Sequence, residues 1–139
     1  MAGALLAADP ASAQTVRTWT GAASTAWSNP SNWSPAGIPT SGETLVFSNV
    51  GANRLMINDV AGLVIGSVVV NDNQYTFGGA GLTLAPSGTS TISRDVTVLS
   101  LSGGGTIQFD NGKLLVMQAG DTTFAGTFVG NNGQVIKDG

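Results

Sequence analysis

From Thr44 onward the chain is a succession of short runs rich in Val, Ile, Leu, Thr and Phe, with Gly or Asn at most of the breaks between them. This punctuation constrains the fold more than any other feature. No stretch of eleven or more residues holds a helical period free of glycine, so an amphipathic helix has nowhere to form. Alternation is clear in Leu82-Thr83-Leu84 and Val96-Thr97-Val98, as expected for half-buried strands. Strands are expected near Thr44–Ser48, Arg54–Asn58, Val64–Val70, Gln74–Phe77, Gly81–Leu84, Thr89–Ser93, Val96–Leu101, Thr106–Phe109, Lys113–Gln118, Thr122–Val129 and Gln134–Lys137. The fold class is all-β.

Two architectures can use these strands. Grouping them in threes gives starts at Val64, Thr89 and Leu114, 25 residues apart, with tight polar corners between strands. That arrangement suits a single-stranded parallel β-helix, a solenoid whose apolar interior stacks coil on coil. Against it, Asp110-Asn111-Gly112-Lys113 places Asn-Gly between two apolar strands, a strong local hairpin signal. The alternative is therefore an antiparallel β-sandwich. The solenoid is preferred because it also accounts for the composition.

Only 9% of the 139 residues are charged, against about 25% in an ordinary soluble domain. Gly, Thr, Ser and Asn supply the polar surface instead, and backbone pairing between coils would replace the disulfides that a chain without cysteine cannot form. With no His and no Cys, Ser-His-Asp triads, thiol nucleophiles and Cys/His zinc sites are excluded. A net charge of -3, with Arg17, Arg54, Arg94, Lys113 and Lys137 scattered singly, gives neither a nucleic-acid footprint nor a polybasic membrane patch. No apolar run approaches the ~20 residues of a membrane span. No catalytic, cofactor-binding or metal-binding residue is assigned. The chain is expected not to be an enzyme.

Three segments follow. Residues 1–13 read as a leader or signal-peptide remnant, Ala11-x-Ala13 fitting a cleavage site before Gln14. Residues 14–43 form a turn-rich segment holding Trp19, Trp27 and Trp33 among Pro30, Pro35 and Pro39, and residues 44–139 form the solenoid coils. The three tryptophans have two readings. They cap the first coil, whose apolar interior and free strand edges need covering, or they form a platform that stacks sugar rings. The cap is favoured because Trp normally buries most of its area.

The Trp19-Thr20-Gly21, Trp27, Asn32-Trp33, Pro39, Gly42, Phe47 series resembles the start of passenger regions of autotransporter-type bacterial surface proteins. Gly133-Gln134-Val135-Ile136-Lys137-Asp138-Gly139 resembles the opening of the autotransporter-associated β-strand repeat. The resemblance implies a right-handed parallel β-helix, export from a Gram-negative-type cell and display on its outer surface.

The leading expectation is a secreted, non-enzymatic structural or adhesive solenoid segment. A second is a filament subunit stacking head to tail through an edge at Gln134, Val135, Ile136 and Lys137, because an unpaired strand edge is a template for addition. A third is a carbohydrate-binding module for host or matrix glycans, using the tryptophans. A calcium-dependent polysaccharide lyase using Asp72, Arg94-Asp95 and Asp110 is the remotest, because Asp at β-corners ordinarily bonds its own backbone. Asn71-Asp72-Asn73 reads as a turn and not a calcium loop, and Gly103-Gly104-Gly105 lacks the Lys and helix of a phosphate loop.

Overall fold

The computed structural model describes residues 15–49, 51–72, 75–118 and 122–138; the proposed leader at 1–13 lies outside them, as does Asn73. Fourteen strands form among the described residues. They are β1 (Val16–Trp19), β2 (Trp33–Ser34), β3 (Thr44–Phe47), β4 (Leu55–Asn58), β5 (Ser67–Val70), β6 (Tyr75–Gly79), β7 (Leu82–Leu84), β8 (Thr89–Ile92), β9 (Val96–Val98), β10 (Leu101–Gly103), β11 (Thr106–Asp110), β12 (Lys113–Met117), β13 (Thr127–Asn131) and β14 (Gln134–Asp138).

Successive strands turn away from one another and pair with the strand one coil before. One sheet runs β13-β11-β8-β5-β3-β1-β2, a second β14-β12-β9-β6-β4, and a third, narrow one joins β10 to β7. Every pair is parallel except β1 with β2. The chain is a parallel β-solenoid of about four turns.

The stacking is indifferent to coil length. Thr44 lies on Ser67, Ser90 on Val68, Thr106 on Thr89 and Thr127 on Thr106, which gives coils of 23, 22, 17 and 21 residues. The even 25-residue spacing drawn from Val64, Thr89 and Leu114 is therefore not the coil period. Val64 precedes β5, and Leu114 lies in the second sheet, where it stacks on Val96. Strand pairing fixes the register, and the corners take up the difference.

Asn111-Gly112 is one of those corners and not a hairpin. A type I′ hairpin turn needs positive φ at both central residues. Here Asn111 has φ 70°, and Gly112 is not among the positive-φ glycines. Gly112 is required for another reason. A Cβ there would lie 2.7 Å from Arg94 O and 2.8 Å from Ile92 O, so the previous coil leaves no room for a side chain. The run expected as one strand over Val96–Leu101 is broken at Leu99-Ser100 into β9 and β10, without a Gly or Pro of its own. Thr122–Val129 is likewise shortened: Phe124 makes a single bridge to Gly103, and β13 starts at Thr127.

Inward positions follow the register. Leu45, Val68, Ser90, Ile107 and Phe128 form one column, and Phe47, Val70, Ile92, Phe109 and Gly130 the next. Across the interior run Met56, Phe77, Val98, Val116 and Lys137, beside Tyr75, Val96, Leu114 and Val135. The core is aromatic at the N-terminal end and largely aliphatic along the middle coils. Ser90, a buried polar member of the first column, accepts a hydrogen bond from Val68 N at 2.9 Å, so its burial leaves no orphan.

Candidate functional site

Trp19, Trp27 and Trp33 come together at the N-terminal end of the coil. Trp33 meets Trp19 and Trp27 edge-on at centroid distances of 5.0 and 5.5 Å, while Trp27 stacks on Phe47 at 5.8 Å and meets Phe77 edge-on at 6.2 Å. Offset and edge-to-face geometries of this kind add about 0.5–1.5 kcal/mol per pair beyond area burial. Exposure is 0%, 0% and 3% respectively, so no indole face is presented to solvent. The structure places all three as a plug over the apolar interior.

The segment around them closes the strand edges. β2 pairs antiparallel with β1 and offers only two residues beyond it, Trp33 and Ser34, next to Pro35. At the second sheet, Ile57 of β4 accepts from Trp27 N at 3.0 Å and donates to Thr25 O at 2.8 Å. Asn32, fully buried, organises the loop between: its Oδ1 accepts from Ala23 N and Ser24 N, and its Nδ2 donates to Ser24 Oγ and Ala26 O. Edges treated in this way resist strand addition.

The only glutamate of the chain does structural work here. Glu43 is 6% exposed and takes both its oxygens to Arg17 Nε, at 3.0 and 2.8 Å, while Oε2 also accepts from Thr40 N. Arg17 in turn donates to Pro35 O at 2.9 Å. One partly buried ion pair thus ties β1, the loop after β2 and the start of β3 together. Sequence reasoning had no signal for it, since the partners lie 26 residues apart.

Four other carboxylates have bonding partners of their own. Asp59 accepts from Ser28 N and Ser28 Oγ. Burial pushes the Asp59 pKa up, but these hydrogen bonds outweigh it and hold the carboxyl below its ordinary value. Asp72 pairs with Arg54 at 2.7 Å, and Arg54 also covers the Tyr75 ring at 4.6 Å. Asp95 accepts from Lys113 N, and Asp110 accepts from Asn111 Nδ2. Among the described residues no group of three or more acidic, His or Cys side chains could hold a metal. Asp72, Arg94-Asp95 and Asp110 lie at the corner between the first and second sheets on three successive coils, and each carboxylate there is engaged by a neighbour: Asp72 by Arg54, Asp95 by Lys113 N and Asp110 by Asn111 Nδ2.

At the opposite end Gln134, Val135, Ile136 and Lys137 lie in β14, paired on one side with β12. Among the described residues no strand pairs their other side, and the same is true of β13. Register points Val135 and Lys137 inward and Gln134 and Ile136 outward. Phe128 and Val135 are 42% and 40% exposed, although the residues they stack on are buried. With Lys137 and Phe124 they line a cavity of about 180 Å³ that opens at this end.

The outer face of the second sheet carries an open groove of about 440 Å³, floored by Thr76, Thr97, Leu115 and Ile136 and flanked by Asp95 and Lys113. These floor residues occupy one column of successive coils. The groove could not be read from sequence, because the coil lengths that align its floor are unequal. No helix among the described residues is long and apolar enough to cross a membrane. No protein-family model, curated protein or solved structure matches the chain.

Proposed function

We propose that this chain is a non-enzymatic structural segment of a secreted protein of the autotransporter-passenger type, a solenoid stalk or adhesive rod displayed on the outer surface of a bacterial cell. The observation that carries the reading is the uninterrupted parallel stack, closed at its N-terminal end by the Trp19, Trp27 and Trp33 plug. Such a stack builds a stiff body out of backbone pairing and small polar side chains, as a stalk requires. The engagement of Asp59, Asp72, Asp95 and Asp110 in structural bonds supports a role without catalysis. The formation of β14 by Gln134–Asp138 supports the likeness of that segment to the opening strand of a repeat. Antibody labelling of intact producing cells tests the proposal. Labelling before permeabilisation, lost on brief external protease treatment, is expected; labelling only after lysis would refute it.

A further inference from the structure

Among the described residues two non-glycine positions adopt positive φ, Asn111 at 70° and Asn132 at 56°. Each is followed by glycine, and each turns the corner from the first sheet to the second, one coil apart. Their amides are stacked. Asn132 Nδ2 donates to Asn111 Oδ1 at 3.2 Å, and Asn111 Nδ2 donates to Asp110 Oδ1 at 3.3 Å. Among the described residues, bonds therefore engage both polar atoms of the Asn111 amide and only the nitrogen of the Asn132 amide. The glycines differ as well. Gly112 is buried against the backbone of Arg94 and Ile92, whereas Gly133 is exposed on one side and packs with the other against the Phe109 side chain.

An asparagine before glycine is open to intramolecular chemistry, because no Cβ on the next residue hinders approach to its backbone nitrogen. We propose that Asn132-Gly133 is a self-modification site, and that Asn111-Gly112, one coil earlier, is its shielded counterpart and converts only after it. The Gly133 nitrogen loses its proton to base and attacks Cγ of Asn132. A carbon–nitrogen bond forms, Nδ2 leaves as ammonia after taking up a proton, and a five-membered imide results. Water then adds to either imide carbonyl and opens the ring, to aspartate or to the β-linked isoaspartate. No oxidant, reductant or cofactor takes part.

The fold sets the order of the two events. Attack requires the asparagine to leave its left-handed backbone well, so the rate follows local opening of the corner. Asn132 is held through its nitrogen alone and precedes an exposed glycine, so its corner opens more readily than that of Asn111. Its conversion replaces the Nδ2 donor that Asn111 Oδ1 accepts by a carboxylate oxygen, which frees the Asn111 amide. The β-linked product also inserts a main-chain carbon at the corner. That shifts β14 against β12, where five residue pairs are now in register.

Peptide mapping by mass spectrometry tests this on the intact chain, kept folded at mildly alkaline pH or dissolved in denaturant. In denaturant the two sites should convert at similar rates. Folded, Asn132 should convert about tenfold faster than Asn111 or more, reflecting the difference in local opening. Asn132→Gly keeps the backbone conformation and removes the amide. It should leave that position unmodified and accelerate conversion at Asn111. Equal folded rates, earlier conversion at Asn111, or a folded Asn132 that stays intact while the denatured chain converts would each overturn the proposal.

Discussion

Trp27→Phe should cost less stability than Trp33→Phe, although the two substitutions delete the same atoms. Both indoles are almost fully buried and both pack in the same aromatic cluster, so the loss of ring volume contributes about 1–3 kcal/mol in either case and largely cancels in the comparison. The nitrogens differ. Trp33 Nε1 donates to Trp27 O at 3.0 Å, and its removal leaves that buried carbonyl without this partner, at a cost of about 1–3 kcal/mol. Trp27 Nε1 is buried with no acceptor among the described residues, so its replacement removes an unsatisfied donor and relieves a penalty of similar size. The gap between the variants should be about 2 kcal/mol or more. With an m-value of about 1.5 kcal/mol/M for a chain of this size, their urea midpoints should lie about 1.3 M apart. Trp19→Phe should fall with Trp33→Phe, because Trp19 Nε1 donates to Asn53 O at 2.7 Å. Coincident midpoints for the Trp27 and Trp33 variants, at unchanged m, would refute the assignment of the indole nitrogens as the deciding groups.

Two further outcomes follow from the corners. Gly112→Ala should destabilise the fold by about 2 kcal/mol or more, because the added methyl meets the backbone of the previous coil at 2.7–2.8 Å; a urea midpoint within error of the parent would contradict that packing. Asp59, whose folded pKa lies below its ordinary value, contributes stability that is fully present above the unfolded carboxylate pKa of about 4 and is lost as pH falls through the lower folded value. The difference in thermal midpoint between the parent and Asp59→Asn should therefore shrink as pH drops below about 4, and a constant difference down through the acid range would count against the Ser28 contact as its source.

How much of this was legible in the sequence depends on whether a residue's role is local. The alternation in Leu82-Thr83-Leu84 and Val96-Thr97-Val98 specifies which side chains face inward, and both segments form strands as expected. The corner at Asn111 was visible as a turn, but its type was not. Whether Asn-Gly reverses a strand or merely bends it depends on the glycine's φ, and Gly112 lies against Arg94 and Ile92 of the previous coil, a contact the local sequence does not reveal. The tryptophans announced a special N-terminal segment by composition alone. Their burial rests on Phe47 and Phe77, 20 and 50 residues beyond Trp27. The break at Leu99-Ser100 had no local signal, since that corner meets Gly81 on the coil before it. The Arg17–Glu43 bond and the groove over Thr76 and Thr97 depend on register, which unequal coil lengths hide from any fixed-period reading.

The unequal coils have a mechanical consequence. Each coil advances the axis by one strand spacing, about 4.8 Å, whether it contains 17 residues or 23. The chain therefore gains only about 0.2–0.3 Å of reach per residue, against 1.5 Å in an α-helix. Residues added at a corner widen the rod and leave its length untouched. Surface relief can thus vary from coil to coil while the pitch, and with it the alignment of every column of side chains, stays constant.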